Sequence, residues 1–165
     1  MATVYQSAQI VAGKQPRVLP EGFVTTQINT FLNSTAFVIN DTVQMVQLEA
    51  NPSITANGPT ITNVKVGMPA MDSSTGFTWV VGDSGSANRY ITTQTGGQSS
   101  AGAIASITAT QVAAFGYQPF LNSFGTYTTV SLSTYTVTIK VTAAATGTPT
   151  TGNTIVMAVD YTYDP

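Results

Sequence analysis

The sequence predicts an all-β protein: an antiparallel β-sandwich or jelly-roll-like domain with an extended N-terminal arm. Three observations favour this class. Apolar and polar residues alternate along several short segments, turn-forming residues separate those segments, and a helical period is almost absent. Threonine, whose β-branched side chain favours strands, makes up roughly one residue in six. The 165 residues suffice for one domain with a sizeable core, predicted at 23–165 after an arm at 1–22.

The N-terminal arm, residues 1–22, alternates only weakly and contains two prolines, which central strands avoid. We predict that it reaches onto a neighbouring subunit, with Tyr5, Lys14 and Arg17 as candidate contacts. An edge strand or a frayed terminus is the alternative. No basic stretch followed by an apolar one opens the sequence, and no apolar run approaches the ~18 residues that span a membrane. We therefore expect cytoplasmic synthesis without an export signal, and no membrane partner.

The first half of the domain contains several strand signals. They begin at Phe23–Phe31 and continue at Ala36–Ile39, which leads into the turn pair Asn40-Asp41. Val43–Ala50 is the next predicted strand. With strict alternation its two faces are Gln44, Val46 and Leu48 on one side, and Val43, Met45 and Gln47 on the other.

In the middle of the domain, the sequence pattern predicts three strands and a loop. The strand Ile61–Met68 has one face made of Thr62, Val64, Val66 and Met68, with Lys65 opposite. The strand around Trp79 has Phe77, Trp79 and Val81 on one face, with Thr78 and Val80 on the other. A short strand follows at Arg89–Thr93, and Thr95–Gly102 reads as a loop. Ala103–Phe115 fits either a short helix or a strand.

The C-terminal third has the most regular alternation. Tyr135, Val137, Ile139 and Val141 alternate with polar residues, mostly threonine. Ile155, Met157, Val159, Tyr161 and Tyr163 form a second such series, opposite Thr154, Val156, Ala158, Asp160 and Thr162. The intervening stretch 143–153 contains glycine and proline. The simplest prediction is two strands of one long hairpin.

The composition restricts the possible functions. Charged residues make up only 7% of the chain, against about 25% in an ordinary soluble domain. Such a weakly charged surface suits a protein that works in an assembly or outside a cell. The five basic residues are scattered, which excludes the basic stripe that a DNA- or RNA-binding protein needs. Without cysteine, disulfides and thiolate metal sites are excluded.

Residues 82–85 read Gly-Asp-Ser-Gly, the nucleophile motif of chymotrypsin-like serine proteases. A Ser-His-Asp triad is impossible here because the chain has no histidine. A serine hydroxyl without an adjacent base is a weak nucleophile. We therefore predict that Gly82, Asp83, Gly85 and Arg89 shape a hairpin turn, since glycine and aspartate tolerate the backbone angles of tight turns.

Other candidate sites are weaker. Asp72–Gly76 and Asp83–Asn88 each contain two or three oxygen ligands for calcium, but neither has the spacing of an EF-hand loop. We interpret both as turns or side-chain caps and predict no metal and no cofactor. Asp72 and Asp83 flank opposite ends of one strand, too far apart for the paired carboxylates of a glycosidase. Trp79 is predicted to be a core residue, with a sugar-stacking platform as the alternative.

An ordered set of segments gives a resemblance to a known class. The set comprises Asn40–Leu48, Val81-Gly-Asp83, Ser86–Ile91, Phe115-Gly-Tyr117 and Thr154–Tyr161. Together they resemble the small structural proteins that tailed bacteriophages make beside their major capsid protein, several of which are capsid decoration, or cement, proteins. The resemblance covers roughly 36–163 and does not include the arm.

The resemblance implies a non-enzymatic virion protein on the outside of the head. Its implied partners are the major capsid protein and two further copies of itself in a homotrimer, with Tyr5, Lys14 and Arg17 as candidate capsid or subunit contacts. Two alternatives stay open: a tail or fibre β domain that binds host glycan, and a secreted serine hydrolase that uses Ser84.

Overall fold

The computed structural model of the chain is an all-β sandwich, which confirms the predicted class. It describes residues 2–7, 10, 24–48, 59–106, 121–122, 126–127 and 135–163. The strands are β1 (Val4–Gln6), β2 (Thr25–Leu32), β3 (Thr42–Leu48), β4 (Pro59–Met68), β5 (Thr78–Gly82), β6 (Ile91–Gln94), β7 (Ala103–Ser106), β8 (Leu121–Asn122), β9 (Thr126–Tyr127), β10 (Tyr135–Ala143) and β11 (Thr154–Tyr163).

The strands form two main sheets. The first sheet has the order β1-β3-β10-β5-β6, the second has β2-β11-β4-β7, and β8 pairs with β9 separately. Strands β1 and β3 run parallel, whereas the other described pairs are antiparallel. From β2 to β7 the chain changes sheet at every connection except the β5–β6 hairpin. This exchange between two sheets is jelly-roll-like.

The core lies between the two sheets and contains the apolar residues that alternation assigned to the inside. Trp79, Val81, Val137, Ile139 and Met157 are fully or almost fully buried. Burying an aliphatic or aromatic side chain contributes about 1.5–3 kcal/mol relative to leaving it exposed. The period of two in the sequence therefore marks the faces that hold the sheets together.

The predicted C-terminal hairpin is wrong. Strand β10 lies in the first sheet between β3 and β5, and β11 lies in the second sheet between β2 and β4. The loop 144–153 thus crosses from one sheet to the other. Alternation shows that a strand has one buried face, but it does not identify the neighbouring strand.

Two strict-alternation predictions are also wrong, because each strand contains a β-bulge. On β3 the pairing steps from Val46 to Gln44, which makes Met45 the extra residue. Val43, Met45, Val46 and Leu48 are consequently all buried. On β4 the extra residue is Thr62, so Thr62 is exposed and Ile61 points into the core. A bulge reverses the face on which later residues lie.

The described part of the predicted arm, residues 2–7 and 10, contains the edge strand β1 of the first sheet. Lys14 and Arg17 lie outside the described residues. Asn40 adopts the predicted turn with a φ of 71°, but Ala36–Ile39 is not a strand. Thr95–Gly102 is a loop, and the described beginning of Ala103–Phe115 is the strand β7.

Candidate functional site

The Gly-Asp-Ser-Gly turn joins β5 to β6 and is organised by the Asp83 carboxylate. Oδ1 accepts hydrogen bonds from the backbone N–H groups of Gly85 (2.7 Å) and Ser86 (2.9 Å). Oδ2 accepts one from the Tyr90 hydroxyl (3.1 Å) and lies 2.6 Å from Arg89 Nε. Both oxygens of this buried carboxylate are therefore occupied by the turn and the residues just after it.

Gly82 and Gly85 lack side chains at positions where neighbouring atoms of the turn come close. A Cβ on Gly82 would overlap the Ser86 carbonyl, and one on Gly85 would lie 2.9 Å from the Arg89 guanidinium. The structure thus brings all four predicted hairpin residues together. Ser84 is exposed at the tip, and no described residue that could serve as a base hydrogen-bonds to its hydroxyl. The motif has the contacts of a turn and lacks those of an activated nucleophile.

Asp72 fastens two loops at one end of the sandwich. It is buried, and it accepts backbone hydrogen bonds of 2.9–3.2 Å from Ser74, Gly76 and Phe77 in its own loop. Two more, of 2.9–3.0 Å, come from Thr146 and Gly147 in the loop 144–153. The clamp therefore ties the β4–β5 connection to the β10–β11 connection. Five backbone donors also leave this carboxylate poorly suited to bind calcium.

These donors determine the acidity of Asp72. Burial acts to raise its pKa, but backbone N–H groups, led by that of Ser74, outweigh burial and lower the pKa from 3.8 to about 2. Asp72 is thus charged at neutral pH. Among the described residues, no group of three histidine, cysteine, aspartate or glutamate side chains is placed to hold a metal ion.

Trp79 is a core residue, as predicted. Its side chain is 0% exposed, and its Nε1–H donates a 2.8 Å hydrogen bond to the Gly96 carbonyl. A sugar-stacking platform needs an accessible ring face, so the glycan-binding alternative loses Trp79, one of the aromatic residues that favoured it.

Tyr5 lies within its own domain. Its ring centroid is 5.7 Å from that of Phe31 and 5.3 Å from that of Phe37. Its hydroxyl lies 3.3 Å from the Thr35 hydroxyl. Because Phe31 is on β2, the Tyr5 ring bridges the edges of the two sheets. Most of the ring is therefore engaged inside the chain.

The outer face of the second sheet presents aliphatic side chains to solvent. Ile104 is 84% exposed, Ile28 60%, Leu32 58% and Val156 38%. We call this surface the aliphatic face. It also includes Ala158, Lys65 and Gly67 between these residues.

Strand register arranges the aliphatic face in rows. Thr30, Val156, Gly67 and Ile104 lie side by side across the four strands. The next row contains Ile28, Ala158, Lys65 and Ser106. Gly67 has no side chain, so a shallow gap separates Val156 from Ile104. The exposed aliphatic side chains make this surface a candidate interaction site.

The outer face of the first sheet is different in character. Its central strands present Thr42, Gln44, Gln47, Thr136, Thr138 and Thr142, all half-buried. We call it the polar face. Gln6 Nε2 donates to Gln44 Oε1 at 2.9 Å, and the hydroxyls of Thr78 and Thr142 lie 2.8 Å apart. Val80 on this side is only 4% exposed, whereas Val4 on the edge strand β1 is 63% exposed.

The sequence prediction did not single out the aliphatic face. A signal was present, because the side of β11 assigned to solvent carries Val156 and Ala158 among its polar residues. Ile28 and Ile104 were not recognisable in the same way, since the partners of their strands were unknown.

No described helix is both long and apolar enough to span a bilayer.

Two solved structures share this fold. A chain in the capsid of Ralstonia phage GP4 superposes with a TM-score of 0.72 and 20% identity, over 99% of both chains. A chain in the capsid asymmetric unit of cyanophage Pam1 superposes with a TM-score of 0.58 and 22% identity, over 91% of each chain. At these identities the likeness shows a shared fold. No protein-family model and no curated protein matches the chain.

Proposed function

We propose that this chain is a non-enzymatic structural protein of a tailed-phage virion, and specifically a head decoration protein. It would be made in the host cytoplasm and bind the outside of the expanded head, where it holds neighbouring major capsid subunits together. The observation that carries the proposal is the shared fold with a phage capsid chain over 99% of both chains. That chain is consequently about as small as this one, as expected of an accessory component.

The physical role follows from mass action. Packaged DNA presses outward and tends to separate capsid subunits. A protein that binds only the assembled lattice stabilises it in proportion to RT ln(1 + [L]/Kd). We propose that the protein acts as a homotrimer, since several sites on one particle raise its effective affinity for the lattice.

The surface chemistry supports attachment to another protein. Only 7% of residues are charged, so an interface built from this surface depends less on salt than one built on exposed ion pairs. The aliphatic face adds side chains whose burial favours association. Lys14 and Arg17 remain predicted capsid or subunit contacts, and so does Tyr5, whose half-buried ring packs on Phe31 and Phe37.

The proposal is tested with expanded capsids assembled without this protein. We expect the purified protein to bind them at saturable stoichiometry and to raise the temperature at which they release DNA. Absence of binding, or binding without any gain in heat resistance, would exclude a decoration role. Light scattering of the free protein tests the trimer. A serine-directed fluorophosphonate probe should leave Ser84 unlabelled, and labelling would revive the hydrolase alternative.

A further inference from the structure

We propose that the aliphatic face, on the outside of the second sheet, is the surface that docks on the capsid lattice. Its partner would be an apolar surface that carries a carboxylate opposite Lys65. This inference rests on the proposed function, and it identifies the surface and the chemistry of its partner.

The first argument concerns the aliphatic side chains. The side chains of Ile28, Leu32 and Ile104 are each more than half exposed. The first two lie on β2 and the third on β7, all on the outer face of the second sheet. Water contact with such side chains is unfavourable, and a partner that covers them removes this cost. Because they lie on strands that are hydrogen-bonded to one another in a four-stranded sheet, docking orders little additional backbone.

The second argument concerns charge. Lys65 is exposed in the middle of the face. It is paired with Ala158, and its row is adjacent to the row that contains Val156. No carboxylate of a described residue lies within ion-pair distance of its ammonium group. Asp160 is the acidic residue on this side of β11. Its Oδ1 accepts from the Thr26 hydroxyl at 2.6 Å and its Oδ2 from Asn63 Nδ2 at 3.0 Å.

A second copy of this chain is the competing occupant, since Lys65 and Asp160 share this face and two copies related by a twofold axis can pair them reciprocally. The function proposed above makes the capsid lattice the partner, and light scattering of the free protein distinguishes it from a second copy. A capsid surface with a carboxylate opposite Lys65 pairs with its ammonium group. In apolar surroundings such a pair is stronger than in water and selects the orientation of docking.

The third argument concerns shape. The gap at Gly67, between Val156 and Ile104, is open, because a Cβ built there meets no atom closer than 3.9 Å. Gly67 also lacks the positive φ that demands glycine. A larger residue is therefore compatible with the fold, yet it would fill a space that a docking side chain can use.

The test measures binding of variants to the capsids lacking this protein. We expect Ile104→Asp and Lys65→Glu each to weaken binding at least about tenfold, and Lys65→Gln to weaken it less. Gly67→Gln should weaken binding while the folded protein keeps its circular dichroism and urea midpoint. The matched controls are Ile39→Asp, an exposed aliphatic residue in the turn before β3, and Lys140→Glu on the polar face. Both should bind within about twofold of the wild type.

The outcomes separate this inference from the function on which it rests. Failure of the wild type to bind would reject the decoration function, and the docking face with it. Wild-type binding that Ile104→Asp, Lys65→Glu and Gly67→Gln leave unchanged would reject the docking face alone. Light scattering of the same variants adds a further criterion. If Ile104→Asp converts an oligomer to a monomer, the face belongs to a second copy of the chain, and the inference is overturned.

Discussion

The two outer faces of the sandwich are built on the same core but present different chemistry to their surroundings. On the polar face, the central strands present half-buried threonines and glutamines, and Gln44 accepts a hydrogen bond from the exposed Gln6. On the aliphatic face, Ile28, Leu32 and Ile104 are largely exposed. Two side-chain pairs on the polar face are hydrogen-bonded to each other, whereas covering the aliphatic face removes exposed aliphatic side chains from water and so favours association. This difference is the reason that we propose the aliphatic face as the docking surface.

The comparison also separates inward residues, which form the core, from outward residues, for which we propose a role in binding. Inward positions of β11 such as Ile155 and Met157 are 0% exposed and hold the sheets together. Val156, between them, points outward and contributes little to that core. Substitutions at inward and outward positions should therefore give opposite patterns of stability and capsid binding.

The largest expected effect is on the core that both faces share. Trp79→Ala should lower the free energy of unfolding by about 3–5 kcal/mol, because it empties a fully buried site and removes the bond to the Gly96 carbonyl. Urea denaturation measures this loss, with Thr92→Ala on the exposed side of β6 as a control that changes stability by less than about 0.5 kcal/mol. A Trp79→Ala protein of unchanged stability would show that the two faces do not depend on one core.

A smaller effect is expected where Asp72 ties the connections between the sheets. Its pKa is lowered from 3.8 to about 2, so its stabilising contribution is complete above pH 3.8 and is lost as the pH falls through about 2. Asp72→Asn should therefore be less stable than the wild type at neutral pH, and the two stability curves should converge near pH 2.

Urea denaturation at a series of pH values tests this expectation. Asp160→Asn is the matched control, since that carboxylate accepts side-chain hydrogen bonds on the aliphatic face and fastens no loop. A constant stability difference between Asp72→Asn and the wild type from pH 7 to pH 2 would contradict the role given to the Asp72 charge.

The smallest effect on stability is expected on the aliphatic face itself. Ile28→Thr and Leu32→Thr should each change the free energy of unfolding by less than about 0.5 kcal/mol, because both side chains are already largely in water. Ile155→Thr is the inward control and should cost more than about 2 kcal/mol. If Ile28→Thr were as costly as Ile155→Thr, the aliphatic residues would be needed for folding, and their exposure would not indicate a partner.

The sequence was sufficient for the fold class because alternation reports burial directly. Val137, Ile139 and Val141 alternate with threonine and lysine, and all three are buried. The pairing of β10 and β11 was not predictable, since a period of two is the same whether two strands share a sheet or face each other across the core. The bulges at Met45 and Thr62 were not predictable for a related reason: a bulge is defined by the pairing with the partner strand, which was unknown.

The candidate site was predictable only in part. The absence of histidine was enough to exclude a Ser-His-Asp triad at Ser84, and the four predicted hairpin residues lie in one turn. The aliphatic face combines residues from strands that are far apart in sequence, such as Ile28 on β2 and Ile104 on β7. Their proximity depends on the order of strands in the sheet, which no local pattern in the sequence specifies.

Electron cryomicroscopy of capsids saturated with this protein tests the docking face most directly. The account predicts that Ile28, Ile104 and Lys65 are buried against the lattice, with a carboxylate of the capsid subunit beside the Lys65 ammonium and the polar face turned away. The contrary result is a particle in which Thr138 and Gln44 contact the lattice while Ile104 stays in solvent, which would assign the docking surface to the opposite side of the sandwich.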